Sequence, residues 1–149
     1  DIARVTERED VCLAAIDKII DATAIQHIHN LRENRASECK RIESITNTVE
    51  IEAIATTHPD EYVRHIAFQN VDNKKVFAQI AQHDPDLRIR TAVIQQLEDQ
   101  VVLGKIAQTD NDPIARLFAV TYLTNKALLR DIAQNDTDYD VRELARSKT

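Results

Sequence analysis

Glycine is nearly missing from this chain: there is one, Gly104, in 149 residues. A strand-rich fold needs turn glycines and period-two alternation of apolar and polar residues, and neither is present. Cysteine is scarce as well. Cys12 and Cys39 are the only two, and both read as small hydrophobic residues rather than as a disulfide or a metal pair. Apolar runs approaching 18 residues are absent, which excludes a membrane-spanning helix of ordinary length, and no signal peptide is recognisable. These absences predict a soluble, cytoplasmic protein. There is no methionine, which predicts that the chain is part of a longer or processed one. Positive charge is also short, with 19 basic against 25 acidic side chains and a net charge of −6. A phosphate-tracking surface shows as a basic patch, so nucleic acid is disfavoured as a partner.

What is present is a repeat. Residues 99–124 are the clearest copy, and the same chemistry returns every 26 positions. Ile28, Ile54, Ile80, Ile106 and Ile132 form one series, followed by His29, Ala55, Ala81, Ala107 and Ala133. Ile25, Ile51, Phe77, Leu103 and Leu129 form another, Ile19, Ile45, Val71, Leu97 and Leu123 a third, and Ile16, Ile42, Phe68, Ile94 and Val120 a fourth. Self-similarity at a fixed period identifies stacked repeat architectures, whose units cannot bury their apolar faces alone.

Two polar series explain the unit. Asp21, Asn47, Asn73, Asp99 and Asn125 each precede an apolar stretch, and Asn34, Asp60, Asp86, Asp112 and Asp138 follow 13 residues later. Asp and Asn accept from the free N–H groups of a first helical turn, an interaction of about 0.5–2 kcal/mol. Each unit therefore starts two helices. Pro113 directly after Asp112 suits a first helical position. Pro59 and Pro85 stand one residue before the cap, where the chain must be extended. In the first helix Val102, Leu103, Ile106 and Ala107 share a face; in the second, Ala115, Ala119, Val120 and Leu123 do so. The fold class is all-α, with Gly104 inside a helix.

The predicted organisation is a single domain over residues 1–149. Residues 1–20 form an N-terminal cap or degenerate repeat, with a capping box at Thr6–Glu9 opening its helix. Repeats follow at 21–46, 47–72, 73–98, 99–124 and 125–149. The 21–46 unit is the least regular: it lacks the Pro-Asp turn and has Glu38 where later units have Arg.

Asp84 with Arg90, Asp110 with Arg116, and Asp136 with Arg142 stand six residues apart in successive units. On these residues the chain resembles the HEAT-like helical repeat proteins of the short, bacterial type, closely over residues 47–149 and dilutely before them. The resemblance implies a right-handed α-solenoid in which Asp and Arg form a ladder between neighbouring units. His58 replaces the Asp in the unit carrying Arg64, so a weaker rung is expected there. The 26-residue period is well below the HEAT length of about 40, and the leucine-rich-repeat variant, another two-helix solenoid, fits the sequence equally.

No constellation for nucleophilic or acid–base catalysis is found, and neither an enzyme nor a cofactor is expected. His27 and His29 are two apart and face different ways, whereas a helical zinc pair takes i, i+4. His58 and His83 lie in turns of successive units without a third ligand. The arginines Arg64, Arg90, Arg116 and Arg142 read as the structural ladder in preference to a phosphate or carboxylate track. What remains is the ridge of the second helices, the usual concave face of such solenoids. It holds Tyr62, His65 and Gln69, then Arg88, Thr91 and Gln95, then Ile114, Leu117 and Thr121, then Asp140 and Glu143. Arg and Tyr are enriched at interfaces, so this ridge is the expected site for a protein or peptide partner, with Ile114 and Leu117 alternatively belonging to the core. The resemblance also implies two rival functions. Some HEAT-like proteins are DNA glycosylases, with basic, aromatic concave faces that an acidic chain with 4% aromatic residues lacks. Subunits of chromophore (phycobilin) lyases are built of similar short repeats.

Overall fold

The computed structural model describes the backbone of residues 2–149 and the side chains of residues 22–149. Among the described residues every regular element is an α-helix. The first, α1 (Ile2–Ser44), is followed by α2 (Thr48–Thr57), α3 (Glu61–Phe68), α4 (Lys74–His83), α5 (Leu87–Ile94), α6 (Gln100–Thr109), α7 (Pro113–Tyr122), α8 (Lys126–Asn135) and α9 (Tyr139–Ser147). The chain divides into two compact units, Asp1–Glu43 and Ser44–Thr149.

The second unit follows the repeat. All eight Asx residues from Asn47 to Asp138 in the two polar series are N-caps with extended backbone, each accepting from the N–H two or three residues on. Pro113 occupies the first turn of α7. The helices have 8 to 10 residues, below the about 12–15 at which an isolated helix is even marginal in water, so packing must hold them. Within each repeat the two helices pack together, α2 on α3, α4 on α5, α6 on α7 and α8 on α9. The first helices then neighbour one another in the order α2, α4, α6, α8, and α7 touches both α5 and α9.

The buried residues are those the period marks. Ile54, Ile80, Ile106 and Ile132 are core, as are Ala55, Ala81, Ala107 and Ala133. So are Phe68, Ile94 and Val120, and Val71, Leu97 and Leu123. Burying a Val, Leu, Ile or Phe side chain fully contributes about 1.5–3 kcal/mol. Gly104 is buried inside α6, where a Cβ would stand 2.8 Å from Leu128 Cδ2 of α8, the movable end of a half-buried side chain. A glycine there costs about 1 kcal/mol relative to Ala.

The first unit departs from expectation. Neither Asp21 nor Asn34 starts a helix, and α1 runs 43 residues through both, so repeat 21–46 is not a two-helix unit. The helix begins at Ile2, not after Thr6. The physical reason is an absent turn acceptor. Where later units have His58, Asp84, Asp110 or Asp136 two residues before the cap, each accepting from the cap N–H, this one has Arg32 before Asn34, a side chain with no acceptor for that turn. Of its repeat positions Ile25 is 66% and Ile28 48% exposed, whereas Ile42 is buried. Cys39 is half-buried on α1, and the side chains of Cys12, Ile16, Ile19 and Asp21 lie outside the described residues.

Candidate functional site

The turn joining the helices of a repeat is three residues long and built on one side chain. Asp84 caps the C-terminus of α4, its N–H donating to Ile80 O at 3.0 Å, while its Oδ1 accepts from Asp86 N at 2.8 Å. Asp86 is in turn the N-cap of α5. Asp110 and Asp136 repeat this, accepting from Asp112 N and Asp138 N at 2.9 and 2.8 Å. At the first copy His58 takes the role through its ring, Nδ1 accepting from Asp60 N at 3.1 Å.

Onto these turns fold the arginines. In every copy Nη1 donates to a backbone carbonyl six residues back: Arg64 to His58 O, Arg90 to Asp84 O, Arg116 to Asp110 O and Arg142 to Asp136 O, at 2.7–3.0 Å. The carboxylate partner is not that residue but the Asp of the following unit, 20 positions on. Arg64 grips Asp84 through Nε and Nη2 at 2.8 and 2.9 Å, with side chains 6% and 2% exposed. Arg116 holds Asp136 the same way, both bonds 2.9 Å. The side-chain hydrogen bonds to the aspartates raise both guanidinium pKa values above their ordinary range, although burial opposes this. Burial pushes the Asp136 carboxyl up, but the bonds from Arg116 and from Asp138 N outweigh it and leave it below 3.8. Arg90 is the loose rung. It meets Asp110 through Nη2 alone at 3.3 Å, and its Nε is buried without a partner. Gln82 Oε1 is buried without one too, and both residues line a cleft of about 360 Å³ with Lys105 and Thr109.

This geometry corrects the expected weak rung. His58 does not weaken the Arg64 pair, because Arg64 binds forward to Asp84, and that rung is the most buried of the ladder. The six-residue spacing legible in the sequence marks the carbonyl contact, not the ion pair.

The residues expected on the second-helix ridge differ in exposure. Tyr62 is 50% and Ile114 48% exposed. Arg88, Gln69, Gln95 and Thr121 are exposed, and His65, Thr91 and Leu117 half-buried. Arg88 lies 3.8 Å from Glu61, in the first turn of the second helix of the preceding repeat. Sequence phase did not single out Tyr122 and Tyr139, both also exposed; the Arg142 guanidinium stands 5.8 Å over the Tyr139 ring.

Arg88 also binds its own cap residue, Nη2 to Asp86 Oδ2 at 2.6 Å. That bond, followed by the backbone N–H groups of the first turn, holds the Asp86 carboxyl down to about 2 against an ordinary 3.8, although partial burial opposes it. A depressed carboxylate stabilises the fold above its unfolded pKa and loses that contribution as pH falls through the folded value. Asp86 should therefore remain charged at pH 3 and give up its contribution between about pH 4 and 2. In Arg88→Ala the Asp86 carbon resonance, followed by NMR, should titrate at a higher midpoint; an unchanged midpoint contradicts the assignment.

Among the described residues no group of three or more His, Cys, Asp or Glu side chains is placed to hold a metal ion, and no helix is long and apolar enough to cross a membrane. His58 lies in the turn after α2, His83 is instead the last residue of α4, and His27 and His29 lie on α1. Comparison with protein-family models, curated proteins and solved structures finds no match to this chain.

Proposed function

We propose that the chain is a non-enzymatic scaffold, a right-handed HEAT-like α-solenoid over residues 47–149, that binds a protein or peptide along the ridge of its second helices. The observation that carries this reading is the row Tyr62, Arg88 and Ile114: an exposed aromatic, an exposed arginine and an exposed aliphatic at one register position of successive helices. An apolar patch rimmed by polar side chains, with Tyr and Arg in it, is the composition of an interface core. The leucine-rich-repeat variant remains the neighbouring architecture, and the ridge serves the same purpose in it. Engagement of Arg64, Arg90 and Arg116 by carboxylates favours protein over nucleic acid, since those charges are spent inside the stack.

The test is affinity capture from native lysate at moderate salt, with wild type beside Tyr62→Ala/Arg88→Ala/Ile114→Asp. A partner on this ridge should be held by the wild type and lost by about tenfold or more in the variant, as removal of hot-spot residues produces. Retention of every captured protein by a folded triple variant would exclude this surface. Nucleic acid released as salt rises would favour the rival reading.

A further inference from the structure

One cleft between successive repeats recurs three times along the stack, and the copies differ. Gln82, Lys105, Thr109 and Asp110 line the middle copy. Their counterparts are Thr56, Gln79, His83 and Asp84 one repeat earlier, and Gln108, Asp131, Asn135 and Asp136 one repeat later. The middle cleft measures about 360 Å³, the flanking ones about 40 and 150 Å³. It is an interior seam, with α2 and α3 packed before it and α8 and α9 after it. The large cleft coincides with the loose rung. Arg64 and Arg116 close theirs with two bonds of 2.8–2.9 Å, whereas Arg90 has the single 3.3 Å bond to Asp110 Oδ1. Three groups are left over: the donor Arg90 Nε and the acceptors Gln82 Oε1 and Asp110 Oδ2, which nothing among the described residues engages. Charge sets the middle copy apart as well. Lys105 stands exposed where the flanking clefts have Gln79 and Asp131, and Asp84 on the same cleft is already neutralised by Arg64.

We infer that the middle cleft binds inorganic phosphate, a tetrahedral oxyanion that still carries a proton at neutral pH, by insertion into the Arg90–Asp110 rung. Lys105 and the Arg90 guanidinium donate to its bare oxygens through charge-assisted bonds. Its P–OH donates to a leftover acceptor, Asp110 Oδ2 or Gln82 Oε1. An acceptor-only anion would leave both of those oxygens unsatisfied, at the full desolvation penalty of a buried acceptor. Arg90 Nε and Gln82 Oε1 are enclosed, so the anion reaches them as the rung opens, and one long bond yields where two short ones hold. The volume lies at the small end of ligand sites, which run from about 300 to 1,000 Å³. The cleft shares no residue with the second-helix ridge, so either reading can fail without the other.

The probe is inorganic phosphate, titrated at pH 7.5 and constant ionic strength into the ¹⁵N-labelled protein while the arginine Nε–Hε resonances are followed. The Arg90 signal should shift saturably; those of Arg64 and Arg116, whose forks are filled, should not. Sulfate has the same shape without the proton and should bind about tenfold more weakly or worse. Glycerol 3-phosphate should fall behind phosphate in the same way, because an ester phosphate loses its last proton near pH 6. Lys105→Gln places the residue of the preceding cleft at an exposed position; it should leave the unfolding midpoint unchanged and weaken phosphate about tenfold, the loss of one charge-assisted contact. Sulfate or glycerol 3-phosphate binding as tightly as phosphate would overturn the choice of ligand. An equal shift at Arg116, no saturable shift at Arg90, or unchanged affinity in Lys105→Gln would overturn the site.

Discussion

Asp84→Ala is expected to cost about 3–5 kcal/mol of folding stability, the loss seen when one member of a buried ion pair is removed. Two functions vanish together. Arg64 keeps its carbonyl bond to His58 but is left 6% exposed without its carboxylate, and Asp86 N loses the acceptor that shapes the turn. Asp84→Asn separates them, since an amide oxygen can still accept from Asp86 N while the charge is gone; it should fall between wild type and alanine. Asp110→Ala removes the same turn acceptor but a single 3.3 Å bond to an arginine whose Nε is already unpartnered, so it should cost less than Asp84→Ala. Urea unfolding of the three variants gives the order directly, and an Asp110 effect equal to that of Asp84 would mean that the rungs do not differ as their geometry says.

Phe68→Ala should be comparably damaging, by about 3–5 kcal/mol, the range for removing a buried aromatic ring. Phe68 is among the largest fully enclosed side chains, with His65 edge-on at 5.0 Å and Phe77 of the next repeat at 6.5 Å. One ring thus closes the core of its own repeat and the seam with its neighbour. Stability in a stack resides in such nearest-neighbour contacts, so the variant should lower the unfolding midpoint of the whole 44–149 unit. Loss below about 1 kcal/mol by denaturant unfolding would mean that the seam relaxes around the cavity.

The two variants probe what was legible in the sequence and what was not. The 26-residue period of apolar and Asx positions is a local property, and from Asn47 onward it marks each helix start and its buried face. The same period misled over residues 21–46. Asp21 and Asn34 are the right residue types, but an Asx side chain caps a helix only where the chain has already left helical conformation, and Arg32 offers no side-chain acceptor to shape a turn at Asn34 as Asp84 does at Asp86. The ladder between neighbouring units was expected from the resemblance, but spacing along the chain does not say which aspartate each arginine meets. The ion pair joins residues 20 apart, Arg64 to Asp84, and depends on the offset between stacked units that only the fold supplies. Phase on a helix suggests which way a side chain faces, but the half-burial of His65, Thr91 and Leu117 and the single bond of Arg90 needed the packing.

That successive units are tied by forward Arg–Asp rungs is tested most directly by a double-mutant cycle on Arg64 and Asp84. Unfolding free energies of Arg64→Met, Asp84→Asn and the double variant give the coupling between the sites. The structure predicts a coupling of about 2 kcal/mol or more, within the range for contacting residues of one network. Coupling indistinguishable from zero would mean that residues 20 apart do not meet, and the ladder that joins the repeats would have to be abandoned.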